Sequence, residues 1–314
     1  MTQSDISRRN ILFGAAAVAA AGGQALARPQ KRKVATPRKL AGIDRSEERL
    51  LVGADGQRFL IQIAYPHAVE PDLPLMIRGR KPVPIYVLDG WDNFATVVGL
   101  VRMMQWGGSV PPCLVVGIGY ADPVAAEKGS RRRYDLTPTP NGPDTKIRYG
   151  GSAPFRSFLR QQVKPLIERE FTVDVARSTL VGHSLGGLFA LETALREPSL
   201  FPNVLALSPS LWFDNHLVLG QLNAALKAGA PFPRIVALAG DREQQITRGD
   251  YNMTRNVEIF GEHVAAAGRA ADIFAGVLED TTHHTIQGQG TTFGLRKLLD
   301  PTPPSLRSGC VKAA

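Results

Sequence analysis

Two cysteines in 314 residues cannot staple a fold. Cys113 lies in an apolar, strand-like run and Cys310 near the end of the chain, so no bridge between them is expected. No apolar run reaches the roughly twenty residues that span a bilayer; Ile11 to Gly23 comes nearest and stops at thirteen. Six histidines leave a short list of general bases, and the absence of an internal repeat excludes solenoids and propellers. What remains is a chain with 44% apolar and 21% charged residues, enough to bury one large core.

The amino terminus reads as a removable address. Ser7-Arg8-Arg9-Asn10-Ile11-Leu12, a modest Ala/Gly stretch and Ala25-Leu26-Ala27 follow the order of a twin-arginine export signal. Residues 1–27 are therefore set apart from the fold. The expected location is the periplasm or the exterior, the expected partner is the Tat export machinery, and no stable membrane anchor is expected after processing. Residues 28–45 form a basic leader, with Arg28, Lys31, Arg32, Lys33, Arg38 and Lys39 and two prolines. The first 39 residues hold +7 of the formal +9, so the body is nearly neutral. A solvated, flexible arm explains this better than a nucleic-acid-binding one.

From Leu50 onward, strand and helix patterns alternate. Leu50–Val52 and Phe59–Ile63 flank the Gly53–Gly56 turn as a hairpin. Continuous apolar runs at Pro82–Leu88, Cys113–Ile118, Thr179–Val181, Val204–Leu207, Ile235–Ala239 and Ile273–Leu278 suit strands buried on both faces. Helical spacing marks Asn93–Met104, Ala153–Arg169, Ser184–Arg196, Tyr251–Ala267 and Thr291–Leu299. The expectation is an α/β domain over residues 46–300, with a mostly parallel sheet, helices on both faces, an antiparallel edge hairpin, and a tail at 301–314. Gly119–Gly151 fits neither period and predicts a functional loop at the carboxyl edge of the sheet.

Gly182-His183-Ser184-Leu185-Gly186 follows one of these runs and opens a helix, the context in which G-x-S-x-G lifts a serine hydroxyl out of a tight turn. That hydroxyl needs a base, and the base needs a carboxylate to hold its tautomer. The expected chain order is Ser, acid, His. His283 and His284 follow the last strand and are the candidate bases, His283 first. The turn after Ile235–Ala239 offers Glu243 and, second, Asp241; Asp280 is a further orienter. Two backbone N–H groups should meet the developing oxyanion, that of Leu185 and that of Trp91 in Asp89-Gly90-Trp91-Asp92.

Tyr86–Gly90 (YVLDG), Val116–Tyr120 (VGIGY), Arg132–Pro138 (RRYDLTP), Gly182–Leu188 (GHSLGGL), Ser208–Trp212 (SPSLW), Gly240 with Glu243, His283-x-Thr285-Ile286 and Gly294-Leu295-Arg296 occur in order. In these the chain resembles the putative-esterase family of α/β-hydrolases that includes the siderophore esterases. That pattern has Ser-Val where this chain has Thr285-Ile286, which favours His283 over His284. The resemblance implies ester hydrolysis through an acyl-serine, with no metal ion or organic cofactor and with a small-molecule ester, a ferric siderophore among the candidates. It also implies a cationic and aromatic wall of Arg132, Tyr120 and Trp212, joined by Tyr134 and Trp91. The same residues also read as a solvated arginine run and core aromatics. Two other functions stay open: an exported siderophore-binding protein on a hydrolase scaffold, and an acyltransferase.

Overall fold

The computed structural model describes residues 42–66, 79–128, 130–245, 251–299 and 311–313. The signal, most of the leader, His67 and Cys310 lie outside the described residues. Residues from Gly42 onward form one compact unit.

Among the described residues nine strands make one sheet: β1 (Ser46–Val52), β2 (Arg58–Ala64), β3 (Val83–Leu88), β4 (Cys113–Tyr120), β5 (Thr179–His183), β6 (Asn203–Leu207), β7 (Arg234–Gly240), β8 (Ile273–Leu278) and β9 (Val311–Ala313). Their spatial order is β1-β2-β4-β3-β5-β6-β7-β8-β9. Strand β2 runs antiparallel to both β1 and β4, β9 runs antiparallel to β8, and the pairings from β4 to β8 are parallel. The predicted edge hairpin and parallel centre are therefore present. Part of the expected tail is not a tail, because Val311–Ala313 closes the far edge.

Alternation along the central strands feeds two cores. Tyr86 and Leu88 of β3, Val116 and Ile118 of β4, and Val204 and Ala206 of β6 enter one core. Val83, Ile85, Val87, Val115, Leu205 and Leu207 enter the other. The second core is covered by α1 (Gly90–Trp106) and α9 (Ile286–Leu299), which touch each other. The first is covered by α4 (Ser152–Phe158), α5 (Lys164–Glu170), α6 (Leu185–Arg196), α7 (Phe213–Lys227) and α8 (Met253–Ala266). Short helices α2 (Pro123–Lys128) and α3 (Arg131–Asp135) break up the Gly119–Gly151 stretch, whose sequence fits neither period. Cys113 is buried in β4, and burial pushes its thiol up to about 12.

The helix expected at Ala153–Arg169 is present but carries a π turn at Leu159–Val163 between α4 and α5. Lys164 N–H bonds the carbonyl of Leu159, one residue wider than an α turn. The cause follows at Pro165, which has no N–H and whose ring would crowd the carbonyl four residues back.

At the carboxyl end of β5 the backbone packs so tightly that a Cβ on Gly182 would overlap the Gly186 carbonyl. Gly99, on the exposed side of α1, meets nothing within 4 Å of such a Cβ. Gly182→Ala should therefore cost about 3 kcal/mol, and Gly99→Ala should stabilise by about 0.5–1 kcal/mol. Urea midpoints with unchanged m-values would measure both; equal effects would contradict the packing described.

Candidate active site

Ser184 sits at φ 59°, ψ −120°, between β5 and the first turn of α6. A residue with a side chain pays about 1–3 kcal/mol for such a conformation. Neighbouring strands hold it there: Ser184 N–H donates to Leu207 O at 2.9 Å, and its carbonyl accepts from Leu188 and Ser210. The hydroxyl lies 3.5 Å from Ser210 Oγ.

The loops after β7 and β8 bring the predicted partners to this turn. Glu243, 1% exposed, accepts from His283 Nδ1 at 2.8 Å. Its other oxygen accepts from Ser208 Oγ at 2.5 Å and Gly240 N–H at 2.7 Å. His283 packs on the elbow, its ring centre 4.5 Å from that of His183, the residue before the serine. The bond to Glu243 occupies Nδ1 and leaves Nε2 as the nitrogen available to a substrate or hydroxyl. His284 is exposed, with its ring 6.3 Å from that of His183. Asp241 accepts from Thr281 N–H and so shapes the loop, and Asp280 pairs with Arg242 at the surface. Of the acid candidates, it is Glu243 that holds the histidine.

His183, inside the elbow, does more than pack. Its Nε2 donates to the backbone carbonyl of His283 at 2.6 Å, and its Nδ1 faces Gln287 Nε2 at 3.3 Å. One nitrogen must donate and the other accept, so the ring is neutral. Burial, followed by the nearby His283, lowers its pKa to about 4. The elbow thus anchors the main chain of the residue that faces Glu243.

The amino ends of α1 and α6 converge at the elbow. A Cβ on Gly186 would come within 3.3 Å of Asp89 Oδ2, and one on Gly90 would touch the backbone of Gly117 and Ile118 at 2.9 Å. The Trp91 and Leu185 N–H groups have no acceptor among the described residues, as befits first-turn donors. Both helix dipoles add positive potential there.

The cationic wall is corrected. Arg132 forks onto the buried Asp89 carboxylate, Nε at 2.7 Å and Nη2 at 2.8 Å. Arg131 bridges Asp135 at 2.7 Å and Asp55 at 2.5 Å. Tyr120 is buried, its hydroxyl donating to Asp135 at 3.2 Å. Burial raises Asp135 to about 6 against the pull of Arg131 and Tyr120. These side chains shape the loop from within. Trp91 is exposed, and Trp212 is half-buried against Tyr251 on the rim of a cavity. Sequence reading missed Ser208 and Ser210, although both lie in the SPSLW segment it singled out.

A family model described as "Putative esterase" matches residues 68–251, more than half of the chain. The chain belongs to this esterase family. His283 lies beyond the matched residues and reaches the site through the fold. The esterase is 29% identical to a siderophore enterobactin esterase of Emericella nidulans over 69% of this chain and 82% of that one. It is 35% identical to a ferri-bacillibactin esterase of Bacillus subtilis over 51% of this chain and 60% of that one, so less than two thirds of the latter is spanned. The solved siderophore hydrolase EstB of Aspergillus nidulans superposes with a TM-score of 0.71 at 26% identity, over 86% of this chain and all of that one. The esterase is an α/β-hydrolase, as its strand order indicates.

The neutral His183 makes a pH prediction. A histidine held near 4 against 6.5 when unfolded adds stability that is complete above pH 6.5 and is lost as pH falls toward 4, because the unfolded chain takes up the proton first. His183→Gln should flatten that loss by up to about 1.4 kcal/mol per pH unit. Urea titrations between pH 4 and 7 check it; parallel curves for the two proteins would refute the neutral assignment.

Proposed function

We propose that the protein is an exported serine esterase that opens siderophore esters, with Ser184, His283 and Glu243 as its triad. The Nδ1 to Glu243 hydrogen bond of 2.8 Å carries the reading, because it fixes the tautomer a general base needs. Ser184 Oγ attacks the ester carbonyl while His283 Nε2 takes its proton. The carbonyl oxygen gains charge facing the Leu185 and Trp91 N–H groups, where each donor stabilises it by about 3 kcal/mol. His283 then protonates the departing alkoxide as the carbon–oxygen bond breaks, leaving the acyl group on Ser184. Water, deprotonated by the same nitrogen, releases the acid and restores the hydroxyl. Glu243 stays ionised and stabilises the imidazolium of each step.

Siderophore esters are the substrates named for the relatives of Emericella nidulans and Bacillus subtilis, which supports the substrate class here. The Arg8-Arg9 signal supports export.

Wild-type protein should label with a fluorophosphonate, and Ser184→Ala should abolish both labelling and turnover. Glu243→Gln should lower kcat by about 10⁴-fold with little change in KM. Faster turnover of ferric trilactones than of short p-nitrophenyl esters is expected; the opposite order would remove the siderophore substrate and keep the esterase.

For export, Arg8→Lys with Arg9→Lys should hold the esterase in the cytoplasm of an expressing bacterium, as read by activity in fractions. Undiminished activity outside the cytoplasm would overturn the twin-arginine route.

A further inference from the structure

A cavity of about 330 Å³ opens between the Asn141–Pro143 segment, the start of α7 and Tyr251. Trp212 on its rim lies two residues beyond Ser210, the neighbour of Ser184 Oγ. Among the described residues of the lining, Asp214 is the one with a formal charge. Thr139 Oγ1 at 2.7 Å and Asn141 Nδ2 at 3.2 Å both donate to its Oδ2. No Lys, Arg or His among the described residues lies within salt-bridge distance of the carboxylate, and Oδ1 accepts no hydrogen bond from them.

Two further observations concern the same walls. Trp212 and Tyr251 stand with ring centres 4.5 Å apart at 49°, and the buried Trp212 Nε1–H has no acceptor among the described residues. Asp214, Asn215 and His216 occupy consecutive left-handed conformations, with φ of 47°, 50° and 61°. Backbone strain of this kind persists where surrounding contacts demand it, and here the demand is the bond of Asp214 to Thr139 and Asn141.

An anionic oxygen beside two aromatic faces is a receptor for a cation. We propose that this cavity is a subsite for a part of the ester away from the scissile bond, and that it takes a group carrying a protonated amine or quaternary ammonium. The cation faces Asp214 Oδ1 and the rings of Trp212 and Tyr251. The proposal rests on the serine-esterase reading of Ser184 and narrows its substrates. Esters with an amine-bearing arm are favoured over their neutral isosteres, which gain nothing from Asp214.

The experiment uses isosteric pairs of esters, trimethylammonioethyl against 3,3-dimethylbutyl on the alcohol side and the corresponding ω-substituted acyl chains on the other. Wild-type kcat/KM should favour the cationic member of at least one pair by about tenfold or more. That ratio should fall toward one in Asp214→Asn, mostly through KM. Tetramethylammonium should compete with the neutral ester in the wild type, a measurement that stands even if Asp214→Asn does not fold. Trp212→Leu, which removes one of the two rings, should lower the same ratio. A protein that labels at Ser184 and hydrolyses neutral esters, yet shows a ratio near one in both pairs and no competition by tetramethylammonium, would overturn the subsite and leave the esterase. Failure of labelling and of all turnover would overturn both.

Discussion

A carboxylate 1% exposed is stable only where donors replace its water, and Glu243 collects them from three separate parts of the chain. Ser208 at the end of β6, Gly240 at the end of β7 and His283 after β8 each donate to it. The group therefore does for the carboxyl edge of the sheet what a core residue does for its middle, because moving any of the three loops uncovers a buried charge. Precision at the site and integrity of that edge are one property. This is why the neutral His183, which holds His283 by its main chain, belongs to the same assembly although its own bonds go to His283 and Gln287.

The electrostatics of the edge are settled internally. Asp89 lies at the amino end of α1 with φ 52°, where a negative charge suits the dipole, and Arg132 neutralises it from α3. Arg131 is shared between Asp55 and Asp135 in the same way. With these pairs closed, positive potential near Ser184 comes chiefly from the peptide N–H groups of two helix ends. Such donors are fixed in direction and need no reorganisation when charge develops. The surplus basic residues of the chain lie elsewhere, in its first 39 positions.

Much of this was legible because the parallel strands announce themselves. Runs such as Ile273–Leu278 admit one reading, and the chain order of serine, acid and base follows from strand order. Settling Glu243 over Asp241 needed the structure, since two acids in one turn look alike until their loop is built. The failures have physical causes. Helix α7 begins with three left-handed residues and includes Gly220, so its apolar period is broken where a reader would look for a start. Arg131 and Arg132 read as free charges in sequence because two of their counter-ions, Asp55 and Asp89, lie more than forty residues away. Tyr120 ends a strand facing a core that sequence distance conceals.

Cys113 gives the sheet a built-in chemical clock. The thiol sits where β3 and β4 pair, at Val83, and its proton is held too tightly for a thiolate to form near neutrality. Reagents that trap thiolates reach it only when the core that α1 covers opens around it. The rate at which Cys113 itself, told apart from Cys310, takes up such a reagent thus reads the opening of that core, without denaturant.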